Sequence, residues 1–578
     1  MEKANPSLKI GFYGGIVAVY ISMVGMVETF GQRDLIKDII SLGHLLLLIT
    51  VLGVGFLSAR QLDQRLDPLH QKRRQSLQRS QVLWNGALAG LVVGVMMALL
   101  VIIAELIDIR SVLVNVSPVL IEIITFGQGT WVGAVILVIL GTALGALGGE
   151  IFIFPDKPRR AIVSGFLWVA FFGTLSELIR VTLSRPGMPA GFSRIFVTSN
   201  GLTILGAVIV VVVAVVWALK GKEWRGRIGE RVAQLPPNQQ QAVRYSQWGF
   251  GLLILLLLPW IVGVFPSEVL VNIGIYVLMG FGINIVVGMA GLLDLGYVAF
   301  FAVGAYTTAI LTTTDANIGG LTISFWAALP VVVILTGLAG LLVGTPVLKM
   351  RGDYLAIVTL GFGEIARFLA LSDWFKPWLG GAQGIIKIPD ISIGGLKFVG
   401  PQQLYYLFLI ASIGVLFISW RLKGSRVGRA WVAMREDEQV ADVMGINTVY
   451  YKLLAFAMGA MIASLSGALF SAKLGTIYPH SFNVLVSITA LSLLIVGGIG
   501  SLPGVVVGAV VLVGLPELLR EFSEFRLLFY GALLIVMMIL RPEGLVPSVR
   551  RGRELHEGEM EQDAWLKAPA VEAAPTES

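Results

Sequence analysis

The chain reads as an all-α, polytopic helical membrane protein of about sixteen transmembrane helices, six and then ten. Three observations lead there. Charged residues make up only 14% of the sequence, against about 25% in ordinary soluble domains. Mean hydropathy is +0.83. Apolar runs of about 20 residues, long enough to cross a hydrocarbon core of about 30 Å as helices, recur along the whole chain. Backbone in lipid must satisfy its own hydrogen bonds, which makes such runs helical. The alternation over about 10 residues that marks a β-barrel strand is absent.

The first block, residues 1–219, holds six apolar segments near 10–30, 39–58, 82–107, 130–152, 161–181 and 201–219. The run from Ile10 to Met26 has no small-residue cleavage site and reads as a retained helix. Basic residues set the orientation. Arg60, Arg65, Lys72, Arg73, Arg74 and Arg79 lie in one loop, and Lys157, Arg159 and Arg160 in another. Lys220, Lys222, Arg225, Arg227, Arg231 and Arg244 follow the sixth segment, whereas the alternate loops hold only Arg33, Lys37, Arg110, Arg185 and Arg194. The excess places the first set, and with it the N-terminus, in the cytoplasm. Residues 220–247, with Pro236-Pro237-Asn238-Gln239-Gln240-Gln241, are polar and helix-breaking and read as a cytoplasmic linker.

The second block, residues 248–547, divides into ten segments near 249–265, 269–288, 291–313, 322–345, 352–371, 403–420, 452–472, 482–498, 503–517 and 527–541. Counting crossings from inside puts 421–451 in the cytoplasm, with Arg421, Lys423, Arg426, Arg429 and Arg435, and puts 372–402 outside. Residues 548–578 turn acidic and Ala/Pro/Glu-rich, the composition of a disordered cytoplasmic tail.

The absence of Cys removes disulfides, thiolate metal sites and Cys nucleophiles. The net charge of +7 comes from basic residues flanking apolar segments, the positive-inside pattern rather than a nucleic-acid surface. His44, His70, His480 and His556 are scattered without metal-ligand spacing, and His44 in its apolar run reads as a satisfied helix histidine. No Gly-x-x-x-x-Gly-Lys-Ser/Thr loop and no Gly-x-Ser-x-Gly elbow occurs, so neither ATP binding nor a catalytic triad is expected in this chain.

Glycines number 68 and cluster in the second block at Gly280, Gly282, Gly288, Gly291, Gly296 and Gly304, then at Gly497, Gly498, Gly500, Gly504 and Gly508. Two readings stand side by side: close helix packing, or broken helices lining a translocation cavity. Asp294 shares that ambiguity, at an interface or lining a cavity. Asp353 is expected to cap a helix. Glu364 with Arg367, and Glu177 with Arg180, have the spacing of neutralising pairs on one helix face, and Glu105 reads as lying near the outer interface.

One charged island stands out between long apolar segments. Gly428-Arg429-Ala430-Trp431-Val432-Ala433-Met434-Arg435-Glu436-Asp437-Glu438-Gln439 leads to Met444-Gly445-Ile446-Asn447. Its helix formers predict one helix from Val427 to Met444, stopped by Gly445. The island resembles the cytoplasmic coupling segment of the branched-chain amino acid permeases of ABC importers, the LivM type. Four further stretches resemble the same family in order: Gly291–Tyr306, Arg351–Glu364, Gly380-Gly381-Ala382-Gln383-Gly384-Ile385, and Val496–Gly504. The likeness runs from about Asn272 to Pro547 and leaves the first 240 residues mostly outside. Leu379 departs from it, standing where such sequences often carry Thr or Asn.

The resemblance implies a type II ABC-importer-like permease core and a transporter subunit rather than an enzyme. It implies carriage of branched-chain or other amino acids, with urea and short-amide permeases the nearest relatives in function. The implied partners are a second, related permease of the LivH type, two cytoplasmic ABC ATPases that hold ATP and Mg, and an extracytoplasmic solute-binding protein. The implied place is a prokaryotic inner membrane, with both termini cytoplasmic. Gly428, Arg429, Arg435, Glu436, Asp437, Glu438, Met444 and Gly445 then form the ATPase-coupling segment. Gly291, Asp294, Gly296, Gly304, Gly497, Gly498 and Gly500 are candidates for the cavity, and Gln383 for an outer-loop contact. A stand-alone ion-coupled carrier or channel is the reading from another class.

Overall fold

Small residues decide which helices come closest in the computed structural model, which describes residues 6–66, 79–107, 110, 113–184, 192–198, 201–315, 321–347, 350, 352–518 and 525–547. The chain divides into two compact units, one ending at Phe250 and the other beginning at Gly251.

In the first unit the elements are α1 (Pro6–Met23), α2 (Met26–Gly31), β1 (Asp34–Ile36), β2 (Ile40–Ser41), α3 (Leu42–Leu66), α4 (Arg79–Leu106), α5 (Pro118–Ile124), α6 (Thr130–Ile153), α7 (Asp156–Thr174), α8 (Ser176–Leu183), α9 (Phe192–Phe196) and α10 (Ile204–Ala233), and α11 (Pro237–Val262) contains the boundary between the units. Helices α1, α3, α4 and α6 pack together, and α7 packs on α10. The spacing of Gly86, Gly90 and Gly94 on α4 and of Gly141, Gly145 and Gly149 on α6 places one glycine per turn along each facing stripe. A Cβ on Gly90 would collide with the Gly141 carbonyl, and one on Gly145 with the Gly86 carbonyl. The two backbones therefore touch directly, as small residues permit in membranes. Arg79 and Glu150 pair at one end of this contact.

In the second unit the elements are α12 (Val264–Ile283), a π-helical turn (Asn284–Met289), α13 (Val298–Thr312), α14 (Phe325–Val347), α15 (Asp353–Leu371), α16 (Lys376–Leu379), β3 (Ile391–Ile393), β4 (Leu396–Phe398), α17 (Pro401–Lys423), α18 (Arg426–Glu436), α19 (Glu438–Val443), α20 (Thr448–Leu474), α21 (Val484–Gly497), α22 (Leu502–Ala509), a second π turn (Val510–Gly514), α23 (Leu515–Leu518) and α24 (Arg526–Leu540). Strands β3 and β4 form an antiparallel hairpin. Helix α20 is the hub, packed against α12, α13 and α14. Its buried residues are mostly Ala, Gly and Ser, including Ala460, Ala463, Ser464 and Gly467, so all three neighbours can approach it.

Eleven described helices are long and apolar enough to cross a membrane, and three shorter apolar helices, Val298–Thr312, Leu502–Leu518 and Tyr530–Ile539, accompany them in the second unit. Several expected segments are interrupted. The first breaks at Gly25, whose φ is +89°. The fifth breaks between Thr174 and Ser176, and the segment expected from 291 becomes helical only at Val298. The stretch 220–247, read as a polar linker, is largely helical. Helix α10 runs on to Ala233 and α11 starts at Pro237, because the polar residues are good helix formers and Pro237 suits a first helical position. Helix α15 starts at Asp353 with Gly352 at its N-cap, φ +56°, so the cap is the glycine and not the aspartate. The tail 548–578, Arg351 and residues 67–78 of the first basic loop lie outside the described residues.

Candidate functional site

The charged island is a short hairpin of helices clamped onto the second unit. Helix α17 ends at Lys423, and the Ser425 hydroxyl caps α18 by accepting from the Gly428 N–H at 3.2 Å. A side chain at Gly428 would strike the Leu422 carbonyl, so glycine there lets α18 fold back tightly. The single helix expected over 427–444 is two. Asp437 has extended backbone, and its carboxylate accepts from the Gln439 and Val440 N–H groups at 2.8 and 3.1 Å. A capping aspartate thus ends α18 and starts α19. Gly445, φ +87°, closes α19, and the Asn447 side chain caps α20 through the Tyr450 N–H at 3.0 Å.

Trp431 anchors the hairpin. It is 0% exposed, and its indole N–H donates to the Tyr451 carbonyl at 2.8 Å. Across the hairpin Lys452, nearly buried, pairs with Glu438 at 2.6 Å. Arg429 donates to the Gly424 carbonyl at 3.0 Å, on the exposed side. Arg435 turns inward rather than toward a partner: its guanidinium donates to the Gly288 carbonyl at 2.7 Å. Lys423, at the foot of α17, donates to the Gly500 carbonyl at 2.8 Å.

Those two carbonyls belong to two different interruptions in apolar helices. Gly288 lies in the π turn after α12, where widened hydrogen bonding leaves carbonyls without their usual partners. Gly500, φ +79°, lies in the turn between α21 and α22. Asn284, fully buried, joins them, its carbonyl oxygen accepting from the Gly500 N–H at 3.0 Å. Its amide nitrogen has no hydrogen-bond partner. A Cβ on Gly291, φ +72°, would meet the Arg435 side chain at 2.7 Å. The structure thus gathers Arg435, Gly291 and Gly500 from separate stretches of sequence, adding Lys423, Asn284 and Gly288, whereas Gly498 lies against the Val546 carbonyl. An isolated Asn in an apolar run is the sequence signal for Asn284; nothing local announces that Lys452 pairs with Glu438.

The segment after the π turn is also pinned. Asp294 is 1% exposed. One carboxylate oxygen accepts from the Gly296 N–H at 2.9 Å, and the other has no hydrogen-bond partner. Thr359 accepts from the Leu295 N–H at 3.0 Å and Ser487 from the Val298 N–H at 2.9 Å. The Tyr297 hydroxyl donates to the Gly459 carbonyl at 2.8 Å. Gly296 abuts the Thr359 carbonyl, Gly304 the Ser464 backbone and Gly497 the Gly504 carbonyl, all places where a Cβ does not fit.

The remaining sequence candidates fall elsewhere. Glu364 and Arg367 pair at 2.6 Å on α15, and Glu177 and Arg180 at 2.5 Å on α8. Glu105 accepts from the Thr130 hydroxyl at 3.0 Å. His44 is satisfied by the Ser41 hydroxyl at 2.7 Å and the Ile123 carbonyl at 3.0 Å, and stacks on Phe126. Among the described residues no group of His, Cys, Asp and Glu has the arrangement of a metal site. Gln383 is exposed in the 3₁₀ turn Gly381–Gln383, beyond the far end of α20 from the hairpin.

Residues 265–540 match the family model described as branched-chain amino acid transport system / permease component. The chain is 39% identical over 349 residues to the high-affinity branched-chain amino acid transport system permease protein LivM of Salmonella typhimurium, covering 56% of this chain and 80% of that one. It is 38% identical over 348 residues to LivM of Escherichia coli, with the same coverage. Against LivH of Escherichia coli it is 31% identical over 150 residues, 25% of this chain and 48% of the relative. No solved structure matches. With the family model over the helical core and a relative matched across most of its length, the chain belongs to the branched-chain amino acid transport permease family, as a multi-pass membrane protein.

Proposed function

We propose that this chain is the membrane-spanning permease subunit of an ABC importer for branched-chain amino acids, driven by ATP hydrolysis in partner chains. The observation that carries this reading is the paired grip of the helical hairpin and the adjoining end of α17 on the interrupted helices. Arg435 holds the Gly288 carbonyl and Lys423 the Gly500 carbonyl. Displacing the hairpin pulls on the first break through Arg435, and carrying the end of α17 with it pulls on the second through Lys423. Charge-assisted hydrogen bonds of this kind contribute about 1.5–3 kcal/mol each, enough to bias one arrangement of the breaks over another.

The hairpin also presents a knob for a soluble motor. Val443 is 87% exposed and Met444 77%, and Glu436, Asp437 and Asp442 are exposed on the same hairpin. An exposed apolar tip with acids on the same hairpin suits a groove with basic edges on an ATPase. In this reading two cytoplasmic ABC ATPases hold ATP and Mg, and a second, LivH-type permease completes the membrane pathway. An extracytoplasmic binding protein delivers substrate, and the assembly sits in a prokaryotic inner membrane with both termini inside. Motion of α18 and α19 on ATP binding reorients the glycine-interrupted helices, in alternating access.

The test is reconstitution of the complex in vesicles with ATP inside. Arg435→Gln is expected to keep ATPase activity while lowering leucine uptake about tenfold or more, since the grip is lost without harm to the docking tip. Met444→Glu is expected to lose ATPase association. Full uptake with the ATPases omitted, or normal uptake by both variants, would overturn the proposal.

A further inference from the structure

Helices α7 and α10 of the first unit form an antiparallel pair. The end of α7 and the start of α10 meet at β1: a Cβ on Gly173 would strike the Leu35 side chain, and the Leu202 N–H donates to the Leu35 carbonyl at 3.2 Å. Toward their other ends an apolar groove of about 480 Å³ lies between the two helices. Ile162, Gly165 and Phe166 of α7 line it, facing Val211, Val215 and Leu219 of α10, which recur about once per turn. Glycine keeps the groove open. A Cβ on Gly165 would lie 3.6 Å from Val211 and 3.8 Å from Val215, an ordinary contact, so the backbones do not touch here as those of α4 and α6 do.

The groove changes character at one end. Its apolar lining gives way to Lys157, which is exposed. Lys220, next to Leu219, is exposed as well. The flanking stretches 156–160 and 220–227 are strongly basic, with acids only at Asp156 and Glu223. Trp224, half-exposed, stands one turn beyond Lys220, and tryptophan settles at headgroup depth in a bilayer. The dimensions choose between occupants. From Val211 to Leu219 the helix advances about 12 Å. The mean cross-section of the groove is then about 40 Å², half or less of what a helix about 10–12 Å across requires. A hydrocarbon chain suits that width, and a phosphate suits the charge at the end.

We propose that this groove is a specific site for an anionic phospholipid, with one acyl chain lying between α7 and α10 and the phosphate received by Lys157. Basic residues at a membrane surface attract anionic lipid in general. The groove adds a seat for one molecule, because its apolar length and its charged end follow the order of tail and headgroup. The site lies within the first unit and does not depend on the permease reading.

The test is native mass spectrometry of the purified full chain in detergent, titrated with phosphatidylglycerol or with phosphatidylcholine. The tightest site is expected to favour phosphatidylglycerol about tenfold. Lys157→Gln should lower that preference about fivefold, and Lys157→Arg should keep it. Gly165→Leu fills the groove while leaving every basic residue in place, and should weaken phosphatidylglycerol binding about tenfold. Gly165→Ala adds a methyl that fits and should bind as the unaltered chain does. Ile162→Trp, at a part-exposed lining position, fills the groove from the other side and gives the same reading should Gly165→Leu fail to fold. Equal binding of the two lipids by the unaltered chain, or an unchanged preference in Lys157→Gln, overturns the proposal. Normal phosphatidylglycerol binding by the folded groove-filling variants also overturns it, since the basic ends would then be an open surface without a seat. A dimer that those variants break into monomers would put a second copy in the groove and overturn it equally.

Discussion

Glycine serves opposite purposes in the two units. In the first, Gly86, Gly90 and Gly94 face Gly141, Gly145 and Gly149 at one residue per turn, and both helices continue unbroken through the contact. In the second, Gly288, Gly291, Gly498 and Gly500 sit where helices stop, and three of them have positive φ, +72°, +117° and +79°. The Gly288 carbonyl is held by Arg435, and the Gly500 carbonyl and N–H by Lys423 and Asn284. Regular spacing on helical backbone makes a rigid seam; irregular spacing with left-handed backbone makes interruptions that charged side chains can hold or release. The seam is suited to a scaffold and the interruptions to a moving part.

Three substitutions would break or sharpen that contrast. Gly145→Leu forces a side chain between two touching backbones. It should destabilise the first unit by about 3 kcal/mol or more, read as loss of thermal stability in detergent. Tolerance of leucine there would mean the seam is not a tight backbone contact. Gly500→Ala asks for a left-handed alanine beside Arg435, whose guanidinium would lie 3.3 Å from the new Cβ. Its expected stability cost is only about 1–2 kcal/mol, but leucine uptake should fall out of proportion to that. If uptake follows stability alone, the turn is structural. Glu177→Gln removes a half-exposed pair on α8 and should change stability by less than about 1 kcal/mol with no effect on uptake. A large uptake defect would give the first unit a role in transport that its seam does not suggest.

Local pattern along the chain accounts for the long apolar runs, the i,i+3 pairs Glu364–Arg367 and Glu177–Arg180, the stop at Gly445 and the charged island. The departures from local pattern share a cause, a partner that composition does not reveal. Helix-favouring composition predicts one helix over 427–444, yet Asp437 caps the following turn with its own carboxylate. A charged island predicts that Arg435 faces a partner, but the π turn after α12 offers it an unmatched carbonyl closer by. The polar run Pro236–Gln241 predicts a break in helix, and the break is confined to Gln234–Pro236.

Composition and local spacing are sufficient to establish a helical membrane protein and the position of its charged island, and the motif stretches carry the family resemblance. Hydrophobic length and helix propensity are properties of neighbours along the chain, so they can be read there. Which glycines become seams and which become interruptions is settled by packing, because that depends on what a distant helix places against them. The same holds for the meeting of Arg435 with Gly288, 147 residues apart. A carbonyl freed by a π turn and a guanidinium from another helix find each other only once the core between them is built.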